Sequence, residues 1–329
     1  MPQAVFFRGS GLKPRRKGSR IKWALAPEAA CDSRTFVETI RTIAWMKEHA
    51  RQARAENRII GFVPTMGALH AGHVALVNRA KQECSTVVAS IFVNPKQFGP
   101  TEDFSKYPRT LEADAQKLAA AGVEALFLPD AAEIYPQNFR TYVNVEGLSD
   151  RLEGRSRPGH FRGVATVVLK LLEIVQPRFA YFGRKDAQQV RIISQMAQDL
   201  NLDVEIVTCP IVREEDGLAL SSRNAYLNAE ERRAATVLHR ALEAAHEEML
   251  GGVRDALTLQ SVMRSELEAE PLAAVDYAEV VDANTFEPVM RVSRPSYALL
   301  AVFIGKTRLI DNLYIEPSPT NAEELITLL

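Results

Sequence analysis

A chain of 329 residues with 47% hydrophobic and 25% charged side chains is long enough for two globular domains with a sizeable core. Its net charge of −1 supplies no overall field to recruit nucleic acid or a membrane surface, so any anion binding must be local. No apolar run reaches the roughly 20 residues needed to span a bilayer. Three scattered cysteines, Cys31, Cys84 and Cys209, suit a reducing cytoplasm rather than a disulfide framework.

Residues 1–33 read as a basic leader outside the fold. Arg8, Lys13, Arg15, Arg16, Lys17, Arg20 and Lys22 precede the first acidic residue. An organelle transit peptide has this composition, but the segment lacks amphipathic periodicity. A disordered tail, a vector-derived stretch or a start codon set too far upstream accounts for it better, and none of the chemistry is expected there.

From Ser33 the pattern alternates. Helix 36–50 is followed by strand 58–64, helix 71–84, strand 86–93, helix 110–121 and strand 124–128. Val164, Val167, Val168, Leu171, Leu172 and Val175 recur at helical spacing and predict a helix over 161–175. Strand 179–182, helix 186–200 and strand 204–209 complete the series. Repeated β–α units predict an α/β fold with a Rossmann-like doubly wound parallel sheet over residues 34–210, whose ligand sits at the carboxyl ends of the strands. Beyond that point the texture changes. Asn228 and Glu231 form a capping-box signature for a helix to about Leu250, and a second helix follows to about Glu270. Strands over 275–281, 297–304 and 309–315 then predict a smaller α+β domain spanning 211–329.

The turn Pro64-Thr65-Met66-Gly67-Ala68-Leu69-His70-Ala71-Gly72-His73 joins a strand to a helix. Helix N-termini present bare N–H groups and a favourable dipole to anions, so this junction suits a phosphate. His70 and His73, at i and i+3, share one side of the first turn. Two such histidines also occur by accident, and as metal ligands they are only two, with no Cys or carboxylate close by.

Four other segments carry candidate chemistry. In Phe92 to Gly99, Asn94 and Gln97 offer amides to a carboxylate or hydroxyl, although Asn-Pro is equally a plain turn. In Phe182 to Gln189, Lys185 can reach phosphate oxygens, Gln189 lies one turn further in, and Asp186 is equally an ordinary helix cap. In Gly217 to Asn224, Ser221, Ser222 and Arg223 can close over a triphosphate or form a solvated linker. After Tyr107-Pro108-Arg109-Thr110, the acids Glu112 and Asp114 can hold Mg²⁺ or simply complement a helix dipole. A basic stretch, Arg155 to Gly163, adds positive potential or is an ordinary loop.

Taken in order, PTMGALHAGH at 64–73, FVNPKQF at 92–98, YPRT at 107–110, GHFRGVATVV at 159–168, FGRKDAQQ at 182–189 and LSSRN at 220–224 resemble the pantoate–β-alanine ligase (pantothenate synthetase) family. They span roughly 160 residues, and the leader lies outside the likeness. The resemblance implies a nucleotidyltransferase-type sheet domain, a C-terminal lid, and a homodimer in the cytoplasm with no nucleic-acid or membrane partner. It also implies ATP and Mg²⁺ as reaction partners for joining pantoate to β-alanine through a pantoyl adenylate, with AMP and diphosphate released. By the same resemblance His73, His70, Lys185 and Arg223 are the catalytic candidates. ATP contacts fall to Met66, Gly67, Ala68, Leu69, His70, Ala71, Gly72 and His73, to Gly183, Arg184, Lys185 and Asp186, and to Val212, Leu220, Ser221, Ser222 and Arg223. Gln97, Gln189 and Asn94 are the expected pantoate and β-alanine ligands, and Asp114 the expected metal ligand. Leu220 departs from the family's usual methionine, a volume-conserving exchange that preserves packing against a base.

Overall fold

The computed structural model describes residues 37–100 and 102–316; the basic leader 1–33, with Cys31, lies outside the described residues. The described residues begin with strand β1 (Glu38–Ile40), helix α1 (Ile43–Ala55) and strand β2 (Ile60–Thr65). Helix α2 (Ala71–Glu83) and strand β3 (Thr86–Ile91) follow, then α3 (Leu111–Ala120), β4 (Ala125–Phe127) and the short helices α4 (Ala131–Ile134) and α5 (Glu153–Ser156). Helix α6 (His160–Val175), β5 (Phe179–Gly183), α7 (Ala187–Asp199) and β6 (Glu205–Cys209) finish the first sheet.

That sheet has six parallel strands in the order β1-β4-β3-β2-β5-β6. The α/β fold expected from the alternation is present. All six residues of β3 are buried, as a strand covered on both faces requires. The chain builds outward from β2 through β3 and β4, then returns to add β5 on the other side of β2. Strand order therefore reverses beside β2, and the crevice at such a reversal is where open parallel sheets take ligands.

The second part runs through helices α8 (Ala229–Ala234), α9 (Val237–Leu250) and α10 (Ala256–Glu268) to strands β7 (Ala273–Asp282), β8 (Ser296–Ile304) and β9 (Thr307–Ile315). These strands form an antiparallel sheet in the order β7-β8-β9. One face packs on α9 and α10, burying Leu242, Leu259, Met263 and Leu300. Tyr277, Val281, Leu299 and Ala301 join the core of the first sheet instead. The two sheets thus share buried surface.

Two helix expectations need correction. The helix expected from Phe36 begins only at Ile43, because 38–40 pair in parallel with β4 and Thr42 then caps α1, its hydroxyl accepting the Trp45 N–H. A three-residue edge strand has too little period to be separated from a helix by pattern alone. The helix expected over 228–250 is two helices, broken at Ala235 and Thr236. Its predicted capping box is formed: Asn228 Oδ1 accepts the Glu230 and Glu231 N–H groups, and Glu231 accepts the Asn228 N–H.

Candidate active site

The loops after β2, β3 and β5 converge with the segment after β6 on one cleft. Gly67 has φ +85° and the following Ala68 φ +52°, so the chain reverses through two left-handed residues before α2 begins. Glycine adopts that conformation without penalty. Alanine does not, and what holds it is Asp114. The carboxylate is fully buried and accepts the Ala68 and Leu69 N–H groups at 2.8 Å each and the Thr110 hydroxyl at 3.1 Å. Asp114 is thus an anchor under the turn, not the metal ligand expected from its place in α3. Lys117, one turn further along α3, donates to the Leu69 carbonyl at 2.6 Å.

The two histidines cap the helix they stand on. His70 is the N-cap residue of α2, and its Nδ1 accepts the Gly72 N–H at 3.2 Å. His73 Nδ1 accepts the His70 N–H at 3.3 Å. A backbone N–H can only donate, so both rings must carry their proton on Nε2. Among the described residues neither Nε2 has a hydrogen-bond partner, and both histidines line the cleft. Gly72 makes this geometry accessible: a Cβ there would lie 2.9 Å from the His70 ring. Burial, with the Lys185 ammonium second, pushes the His70 ring down to about 4. Burial, followed by His70 and Lys185, pushes His73 down to about 3. The pair is therefore neutral near pH 7 and presents two N–H donors beside a helix N-terminus, an arrangement suited to phosphate oxygens.

Of the expected stretch 66–73, Met66, His70, Gly72 and His73 line the cleft. Gly67, Ala68 and Ala71 do not line it but frame the turn, and Leu69 is buried in the core beneath α2. Lys185, Asp186 and Gly183 line it from the end of β5. Arg184 does not: its guanidinium lies 4.9 Å over the Tyr314 ring on the C-terminal sheet. Both residues stand in the 3₁₀ turn Arg184–Asp186 that follows β5, where successive side chains point about 120° apart, so Arg184 leaves the cleft that Lys185 enters. Val212, Leu220, Ser221, Ser222 and Arg223 close the opposite side.

Gln97 is buried at the cleft wall. Its amide donates to the Met66 sulfur and its Oε1 accepts from Asn94. Asn94 is 1% exposed and fully engaged: Nδ2 donates to Gln97 Oε1 and the Gly163 carbonyl, while Oδ1 accepts the Tyr135 hydroxyl and the Lys96 N–H. With no free donor or acceptor it positions Gln97 rather than touching a ligand, which corrects its expected role. Gln189 faces the cleft, whereas its neighbour Gln188 braces the carbonyls of Leu148 and Arg151.

The cleft continues from a cavity of about 240 Å³ into one of about 420 Å³ under the C-terminal sheet, with Lys185, Asp186, Gln189 and Arg223 shared between them. That sheet holds the site's loops from behind. Asn312 Nδ2 donates to the carbonyls of Arg184 and Lys185 at 2.9 Å each. Buried Asp311 pairs with Arg213 at the base of the 213–219 loop.

Sequence reasoning missed the acids Glu102 and Asp103 and gave His160 no specific role. His160 Nε2 faces Arg157 at 3.1 Å, and since a guanidinium only donates, His160 Nδ1–H must donate to the Gln97 carbonyl at 2.8 Å. Burial and then the Arg157 charge push this ring down to about 4. All three cleft histidines therefore resist protonation in the folded chain. An unfolded histidine titrates near 6.5, so between about pH 6.5 and about 4 the unfolded chain binds more protons, and stability falls as pH falls through that window. The three histidine ring resonances are expected not to titrate between pH 8 and 5.5 in NMR spectra of the folded chain, and a titration above pH 6 in any of them would contradict this geometry.

A family model described as pantoate-beta-alanine ligase matches residues 38–314. The chain is 55% identical over 271 residues to the pantothenate synthetase of Pelotomaculum thermopropionicum, covering 82% of this chain and 96% of that one. The crystal structure of pantothenate synthetase from Thermus thermophilus superimposes with a TM-score of 0.81 at 46% identity, over 86% of this chain and all of that one. The pantoate-beta-alanine ligase of Francisella tularensis, solved with β-γ ATP and β-alanine, superimposes with a TM-score of 0.69 at 36% identity, again over 86% of this chain and all of that one.

Proposed function

We propose, from the premise that this chain belongs to the pantoate–β-alanine ligase family, that it joins (R)-pantoate to β-alanine at the expense of ATP, and that the cleft described above is where it does so. The observation that carries the site assignment is the convergence of a neutral histidine pair at a helix N-terminus, Lys185 and Arg223 with the two amides Gln97 and Gln189. The cationic side fits a polyanion, and the amide side fits a hydroxy acid that must keep a nucleophilic carboxylate free of strong ion pairing.

In the first step a pantoate carboxylate oxygen bonds to the α-phosphorus while the bond to the α,β-bridging oxygen breaks, and diphosphate leaves with the electron pair. His70 and His73 donate from Nε2 to oxygens on which charge grows, and Lys185 and Arg223 offset it further. Gln97 and Gln189 orient the acid for in-line attack. In the second step the β-alanine nitrogen attacks the acyl carbon, the bond to the phosphate oxygen breaks, AMP departs, and the amine proton passes to solvent.

Among the described residues no group of three or more His, Cys, Asp or Glu forms a metal cage. Asp103 is paired with Arg223, which leaves Asp186 as the cleft carboxylate nearest the expected phosphates. Asp186 is the side chain that would hold a Mg²⁺ there, and the ion would screen the charge of the triphosphate. The reading extends to residues 211–329 as a lid and to a homodimer in the cytoplasm. Cys84 and Cys209 are both free thiols, as a reducing compartment keeps them.

The test is direct. With ATP, pantoate and β-alanine together, the purified chain is expected to turn over AMP and diphosphate in equal amounts. Without β-alanine, diphosphate release should stop at about one equivalent, because the adenylate stays bound. AMP turnover without pantoate, or none with all three substrates, would refute the assignment.

A further inference from the structure

Arg223 has a partner within the protein. Its Nε and Nη2 donate to the two carboxylate oxygens of Asp103 at 3.2 and 3.1 Å, a two-point pairing across 120 residues of sequence. The Tyr226 hydroxyl adds a 3.4 Å contact to Asp103 Oδ2. Asp103 starts the short turn Asp103–Ser105, which also puts Glu102 onto Arg157 at 2.9 and 2.7 Å. Both acids line the larger cavity of the same cleft. Burial alone would raise the Asp103 carboxyl, but Arg223 outweighs it and holds the group below the usual carboxylate range, so it is charged at working pH.

A carboxylate on the Nε–Nη2 edge of a guanidinium occupies the same fork that grips two phosphate oxygens. It also puts negative charge against a guanidinium that lines both cavities of the cleft. We propose that Asp103 is an internal counter-anion for Arg223, holding the guanidinium in the ATP-free cleft and yielding it to phosphate oxygens when ATP binds. The inference rests on the reading that Arg223 is a triphosphate ligand. It makes Asp103 a determinant of nucleotide affinity that acts against binding: the fraction of molecules with Arg223 free scales the apparent affinity. The same competition favours diphosphate release once the first step is over.

The test is a cycle of D103N, R223A and the double variant, with dissociation constants for a non-hydrolysable ATP analogue measured by calorimetry on the full chain. D103N is expected to bind the analogue about five-fold more tightly. R223A is expected to bind it at least about ten-fold more weakly. In the R223A background the gain from D103N should vanish, because the two side chains act through one contact. If R223A binds normally, the triphosphate assignment of Arg223 fails and the inference with it. If R223A weakens binding but D103N leaves it unchanged or weakens it, the pair is a positioning contact and the counter-anion role is overturned. A D103N gain that persists without Arg223 also overturns it, since bulk charge then accounts for the effect. Asp103 lies in a short surface turn, and unchanged melting temperatures will show that each variant is folded.

Discussion

Replacing His73 with alanine is expected to lower the rate of diphosphate formation from ATP and pantoate by about 10²–10³-fold, the usual effect of removing one well-placed donor from a developing anion. The ring sits at the third residue of α2, with Nδ1 committed to the His70 N–H, so only Nε2–H is free to meet a phosphate oxygen. Burial holds the ring's pKa at about 3, so the ring is neutral at pH 7. The group therefore serves as a hydrogen-bond donor rather than as a stored proton. Loss of the acceptor for the His70 N–H should also cost about 1 kcal/mol of stability, as for other capping interactions. Rapid-quench measurement of diphosphate, with ATP affinity measured in parallel, separates the two effects. A variant that forms diphosphate within three-fold of the parent rate would remove His73 from the mechanism.

Asp114→Asn is expected to destabilise the fold by about 2–4 kcal/mol and to weaken ATP binding, although the residue touches no ligand. Its carboxylate accepts three donors in a site with no solvent access. An asparagine of the same shape turns one acceptor into an NH₂ that faces an N–H, leaving donors buried and unpaired. The left-handed Ala68 then loses what holds it, and the histidine pair loses its footing. The midpoint of urea unfolding should fall with little change in slope. A loss below about 0.5 kcal/mol, the range of an ordinary surface substitution, with unaltered ATP binding would show that the turn stands without its anchor.

Much of the cleft was legible because its signals are local. The turn 64–73, Lys185 and Gln189 lie at strand-to-helix junctions, and a junction is visible wherever the hydrophobic period changes from buried strand to helical stripe. Helix α6 could be read from its valine and leucine spacing alone. The misreadings have the opposite character. Asn94 looked like a ligand because its type and position suit one, yet all its polar atoms are taken, two of them by Tyr135 and Gly163, which lie 41 and 69 residues away. Asp114 looked like part of a metal site until the β2–α2 turn, 45 and 46 residues earlier, took its oxygens. Arg184 and Lys185 are adjacent, and only the packing of Tyr314 shows which one turns from the cleft.

The alternating α/β core, the order of the site loops and the kinds of side chain they carry all follow from local pattern, because period and turn chemistry act over a few residues. Which of those side chains remain free to meet a ligand depends instead on long-range packing. Asn312 reaching the carbonyls of Arg184 and Lys185, Asp311 holding Arg213, and Asp103 holding Arg223 all join segments at least 98 residues apart. A polar group spent on another polar group is unavailable to substrate, and which groups are spent depends on contacts that no local pattern records.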